Sequence, residues 1–140
     1  MFQLDLSNPF QARVADRLRQ ETVGWLTTVG ADGIPQPSII WFLWDGGDKI
    51  LIYSQDNQKV RNINRHAGVS FNFDGDGKGG NMIVLTGTAV IDPGSLSVAE
   101  NAPYIEKYAS GIKSVSGDPA GFAAAYHKPI VMTITKLRGH

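Results

Sequence analysis

Residues 23–44 read V-G-W-L-T-T-V-G-A-D-G-I-P-Q-P-S-I-I-W-F-L-W, and how this stretch folds decides the architecture. Val23, Trp25, Thr27 and Val29 alternate with Gly24, Leu26 and Thr28, the two-residue period of a strand. Ala31-Asp32-Gly33 turns that strand back, because Asp-Gly accepts the backbone of a tight hairpin. The returning strand, Pro35 to Trp44, carries Ile39, Trp41 and Leu43 on one face and Ile40, Phe42 and Trp44 on the other. A strand apolar on both faces must be covered on both. The helices that 140 residues can supply cover only part of it, so a second copy of the chain is expected to cover the rest as a homodimer. The first half of the strand differs. Gln36 and Ser38 are polar, and Pro35 and Pro37 offer no N–H to a ladder, which places this half at an edge, lining an open groove.

Outward from this hairpin the pattern stays regular. Asn8-Pro9 opens a helix in which Phe10, Val14 and Leu18 share a face, ending near Glu21. Lys49–Tyr53 reads as a third strand, reached through the turn Asp45-Gly46-Gly47-Asp48, and Ser54–His66 as a short helical crossover. Gly68–Phe73 alternates as a fourth strand, and a glycine-rich loop, Asp74–Gly80, leads to a long fifth over Asn81–Asp92. Gly87 within it marks a bulge or a close backbone approach. Helical spacing returns over Ser97–Ala109 and Asp118–Tyr126, and Ile130–Thr135 is a sixth strand. The expected fold is α+β: a single domain over residues 1–140 built on a six-stranded antiparallel split barrel with flanking helices.

The crossover holds the chemical oddity. In S-Q-D-N-Q-K-V-R-N-I-N-R-H, residues 54–66, Asp56 or Asn57 can cap a helix whose buried edge is Val60 and Ile63. Lys59 then sits in the first turn, where a cation opposes the helix dipole. A solvated surface lysine tolerates that position at a cost of a few tenths of a kcal/mol. An anion held at the helix N-terminus would instead turn N–H groups, dipole and ammonium to one purpose.

Composition narrows the alternatives. Lys+Arg and Asp+Glu number 13 each, so no basic excess points to nucleic acid or an anionic membrane. There are no cysteines, hence no thiolate nucleophile and no Cys-type zinc site. The N-terminus lacks a basic segment followed by an apolar one, and the run Ile39–Trp44 is far too short to span a bilayer, so a cytoplasmic protein is expected. His66, His127 and His140 have no partners at ligand spacing, and no metal site is expected. Gly75–Gly80 matches G-x-G-x-x-G but precedes a strand instead of a helix; Lys78 and Leu85 spoil an EF-hand reading of the same loop. No serine stands with a histidine and an acid in a recognisable order. If the protein is an enzyme, a bound cofactor has to supply the reactive group.

The first hairpin, I-L-I-Y-S at residues 50–54 and K-V-R-N-I-N-R-H-A-G-V-S-F at residues 59–71 together resemble the pyridoxamine 5′-phosphate oxidase-like split-barrel superfamily. The subgroup it is most similar to uses the 5-deazaflavin coenzyme F420; FMN is the alternative, although Tyr53-Ser54-Gln55 lacks the arginine common in FMN members. The resemblance implies a homodimer with cofactor at its interface and hydride transfer to a small unsaturated organic substrate. It implies that Lys59 binds the cofactor phosphate with Ser54, Gln55 and Asn62 beside it, that Gln36, Pro37 and Ser38 lie along the ring, and that Trp41 forms part of the wall. Trp41 is equally readable as a dimer-core aromatic and Gln36 as a solvent-facing residue. A different class, a non-catalytic haem-binding protein, would need His66 or His127 as an axial ligand.

Overall fold

At Trp41–Phe42 the long apolar strand breaks, and the break organises the whole sheet. The computed structural model describes all residues 1–140. Its strands are β1 (Gly24–Val29), β2 (Pro35–Ile40), β3 (Leu43–Trp44), β4 (Lys49–Ser54), β5 (Gly68–Asn72), β6 (Ile83–Ile91) and β7 (Lys128–Gly139). They form one antiparallel sheet in the order β2-β1-β5-β6-β7-β4-β3. The two edge strands, β2 and β3, are separated in the chain only by Trp41 and Phe42. With about 3.8 Å between successive Cα atoms, the sheet must curl until its edges lie within roughly 11 Å at that point. The result is a half-barrel of seven strands, not six. The expected continuous strand over Pro35–Trp44 is corrected to two short ones on opposite edges.

The side chains of a helix explain the break. Helix α1 spans Pro9–Gln20, α2 Gln58–Arg65, α3 Ala102–Ser116 and α4 Pro119–Ala125, with a single 3-10 turn at Val98–Glu100. From α3 the Tyr108 hydroxyl accepts the Phe42 N–H (2.8 Å) and donates to the Thr22 carbonyl (2.8 Å). The Lys107 ammonium donates to the Phe42 carbonyl at 2.8 Å and lies 3.8 Å from the centroid of its ring. Both backbone groups of Phe42 are therefore satisfied by α3 and are lost to any ladder. Phe42 itself is 0% exposed within a single chain, so this part of the strand needs no partner to cover it.

Burial lowers the Lys107 pKa to about 8, with the charge of Glu21 opposing. The unfolded chain holds that proton up to about 10.5, so between these values the unfolded state binds more protons and stability rises with pH. Lys59, also lowered by burial, acts in the same direction. Above pH 10 the trend reverses, because burial pushes Tyr108 up to about 12 and the unfolded phenol ionises first. Urea midpoints are expected to climb from pH 8 toward pH 10 and then fall, and Lys107→Met should flatten the climb. A midpoint constant across that range would rule this out.

Two apolar clusters result. The larger lies inside the curl and includes Val14 and Leu18 of α1, Val60 and Ile63 of α2, and Phe42 and Phe71. The smaller lies under α3 and α4 and consists of Tyr53, Val98, Tyr104, Tyr108, Ile112 and Phe122. Gly87 stands beside a bulge: the β6–β7 register shifts between Thr86 and Gly87, and the extra residue, Thr135, is on β7. Strand β7 runs twelve residues, about twice the length expected, because it pairs with both β4 and β6. The helix expected at Ser97–Ala109 starts later, at Ala102, where Asn101 caps it, and continues to Gly117, which takes the positive φ of 82° that ends it.

Candidate functional site

The smaller cluster does not seal completely against the sheet. Between them lies a cleft of about 230 Å³. Its sheet side is the end of β2 with Trp41 and the end of β4, Ile52 to Ser54; its helical side is Tyr104 and Val115 of α3, Phe122 of α4 and Tyr126 just past its end. Gln55, Asn57 and Lys59 complete its lining. Trp41 is half-buried within the single chain. It stacks on Tyr108 (4.7 Å, interplanar 2°) and on Phe122 (5.5 Å, 3°), and Gly111 lets it approach α3. A Cβ at Gly111 would come within 2.6 Å of the indole edge. The cleft rim is apolar and open, with Ile39 56% and Val115 55% exposed.

Lys59 is half-buried in this cleft and forms no ion pair; the salt bridges are Arg17–Glu21 and Lys49–Asp48. Burial lowers its pKa, with no carboxylate to compensate. Asn57 is the N-cap residue of α2, but its side chain makes no cap bond, contrary to the expectation. Its Oδ1 lies 3.3 Å from Ser54 Oγ, whose proton goes to the Gln55 carbonyl. The N–H groups of Gln58 and Lys59, in the first turn, have no helical acceptor and no side-chain cap. A desolvated cation in the uncapped first turn of a helix thus borders a largely apolar cleft. That combination suits a ligand with an anionic head and a flat apolar body.

Of the residues singled out in the sequence, Lys59, Ser54, Gln55 and Trp41 line this cleft together. Asn62, Gln36, Pro37 and Ser38 do not. Asn62 is 0% exposed. Its amide donates to Thr28 Oγ1 and Gln36 Oε1, both at 3.0 Å, and accepts from Gln58 Nε2 at 2.8 Å. Both of its amide hydrogens are engaged inside the chain, so it works as a strut tying α2 to the first hairpin. Gln36 is the other end of that strut. Pro37 is exposed on the edge strand, and Ser38 is half-buried with a hydroxyl lacking a partner in the chain.

Sequence reasoning missed the helical wall. Tyr104, Phe122 and Tyr126 lie far along the chain, at a spacing that reads as ordinary core. Among the cleft hydroxyls, Tyr53 donates to the Leu96 carbonyl (2.6 Å) and Ser54 to the Gln55 carbonyl (2.7 Å). The Tyr104 hydroxyl is buried with no partner in the chain. No carboxylate and no histidine lines the cleft. A neighbouring cleft of about 430 Å³, sharing Tyr53 and Tyr126 as a wall, holds Glu100, His127 and Lys128. His66 lies in neither; its Nδ1 accepts the Gly68 N–H at 3.2 Å.

Comparison with known proteins places these features in context. The family model for pyridoxamine 5′-phosphate oxidase matches residues 10–139. No curated protein matches the chain in sequence. Among solved structures, an F420 reductase superposes with a TM-score of 0.65 at 25% identity, covering 88% of this chain and 94% of its own. A pyridoxamine 5′-phosphate oxidase-type protein from Listeria innocua gives 0.63 at 21% identity, covering 91% and 94%. A haem storage protein from Vibrio cholerae gives 0.60 at 14% identity, covering 91% and 92%. No helix of the chain is long and apolar enough to cross a membrane.

Proposed function

The chain belongs to the pyridoxamine 5′-phosphate oxidase family, and from that premise we propose that it is an F420-dependent oxidoreductase, with FMN as the alternative cofactor. The observation that carries this reading is Lys59, a half-buried ammonium without a counter-ion at the uncapped start of α2. Burying such a charge is unfavourable unless a partner arrives. A cofactor phosphate is the partner proposed, and the likeness to an F420 reductase favours the deazaflavin. When bound, the deazaflavin or flavin supplies the hydride-transfer chemistry.

The chain's own residues bind and shield. Lys59 and the N–H groups of Gln58 and Lys59 receive the phosphate, and Gln55 stands beside them. Trp41, locked by its stacking on Tyr108 and Phe122, forms a rigid wall for a planar ring and excludes water. With no carboxylate or histidine in the cleft, the protein's contribution is position and environment. The proposed substrate is a small unsaturated organic molecule.

At about 230 Å³ the cleft is smaller than the roughly 300–1,000 Å³ of pockets that bury a ligand of this size. A second copy of the chain, seated on the apolar rim of Ile39 and Val115, is proposed to complete it. Absorbance titration with F420 and with FMN tests the reading, together with light scattering for a mass of twice 15.2 kDa. Saturable binding of either cofactor by a dimer supports it, and binding of neither removes it. A haem-binding protein would require an axial histidine; this cleft offers none, and the neighbouring one offers His127.

A further inference from the structure

Three tyrosines meet in the smaller cluster, and their hydroxyls are treated unequally. Tyr53 donates to the Leu96 carbonyl and accepts from Asn101 Nδ2 (2.9 Å). Tyr108 bridges Phe42 and Thr22. Tyr104 is packed edge-on against Tyr53 (4.8 Å, 85°) and tilted against Tyr108 (4.9 Å), and is 0% exposed. Its hydroxyl alone of the three finds no partner in the chain. Phenylalanine would fill the same space without stranding a polar atom, and buried polar atoms are as a rule hydrogen-bonded. Tyr104 also lines the Lys59 cleft, where the hydroxyls of Tyr53 and Ser54 are already engaged.

We propose that the Tyr104 hydroxyl donates a hydrogen bond to an acceptor atom on the bound ligand, a ring carbonyl oxygen or ring nitrogen, and so selects for a heteroaromatic body with a polar edge. The inference rests on the reading of the cleft as a cofactor site and deepens it. Lys59 would hold the anionic head, and Tyr104, which lines the same cleft, would meet an acceptor on the ring. Flavins and 5-deazaflavins share a pyrimidinedione edge with two carbonyls, the kind of group such a donor recognises. A ligand presenting only carbon there would leave the hydroxyl stranded, and sites built around a hydrogen bond discriminate strongly against analogues that cannot make it. Burial raises the Tyr104 pKa far above the ordinary phenol value, with the neighbouring Tyr108 and Tyr53 adding to the effect. The group therefore stays protonated and acts as a donor, not as the acid of a proton-transfer step.

The test is Tyr104→Phe in the full chain, read by urea unfolding of the ligand-free protein and by titration with F420 and FMN. The variant is expected to be at least as stable as the parent without ligand, because an unmatched hydroxyl is removed. It is expected to bind the cofactor about tenfold more weakly, the scale of one hydrogen bond to a group otherwise stranded. A structural role for the hydroxyl would give the opposite pattern: lower stability without ligand and unchanged affinity. That result, or equal affinity at any stability, overturns the assignment while leaving the cofactor reading intact. If the parent protein binds neither cofactor, the cofactor reading falls and the Tyr104 assignment falls with it.

Discussion

Lys59→Ala is expected to weaken F420 or FMN binding at least tenfold while leaving the urea midpoint of the ligand-free protein unchanged or slightly higher. The first half follows from the strength of a charge-assisted bond to phosphate, about 1.5–3 kcal/mol, which is roughly ten- to 150-fold in affinity. The second half follows from the surroundings of the ammonium. Lys59 is half-buried, unpaired and lowered in pKa by desolvation alone, so in the ligand-free protein its charge is a cost without a compensating contact. A lysine kept for stability would behave in the reverse way, with a lower midpoint and an undisturbed Kd. Lys59→Arg keeps the charge and should retain part of the affinity, which separates loss of charge from loss of side-chain volume. Identical affinity in Lys59→Ala would exclude Lys59 as the phosphate anchor.

Gly87→Ala is expected to destabilise the protein by about 3 kcal/mol or more, although it adds one methyl group outside the cleft lining. A Cβ at Gly87 would lie 1.9 Å from the Thr133 carbonyl oxygen and 3.2 Å from the Ile134 Cα, both backbone atoms of the adjacent strand. Neither can rotate away as a side chain would. Strands β6 and β7 would have to separate where the register shifts, opening the pairing that carries Ile134 and Met132 into the main core. For a chain of this size the loss corresponds to a fall in Tm on the order of 10 °C. A variant melting within a degree or two of the parent would show that the bulge relaxes without separating the strands.

Much of the fold was legible because it depends on local rules. Alternation over Gly24–Val29 and Gly68–Asn72 gave strands in the right places, and Asn8-Pro9 gave the start of α1, where Asn8 accepts the Gln11 N–H. The bulge beside Gly87 and the edge position of Pro35 and Pro37 also followed from residue type, because a missing Cβ or N–H has the same consequence in any context. The break at Trp41–Phe42 did not follow. Nothing in I-I-W-F-L-W distinguishes one strand from two, since the groups that interrupt it, Lys107 and Tyr108, come from a helix some 65 residues later.

The candidate site divides along the same line. By itself the sequence determined that a cation stands at the start of a short helix beside the end of a strand, because dipole and capping are properties of neighbouring residues. Only the tertiary structure decided that this cation is desolvated and unpaired, that Asn62 and Gln36 bind each other across the barrel, and that Tyr104 lines the same cleft as Lys59. Burial and hydrogen-bond partnership are set by whichever residues the fold brings together. In a curled sheet whose edge strands are consecutive in the chain but stand at opposite ends of the pairing order, those residues come from every part of the chain at once.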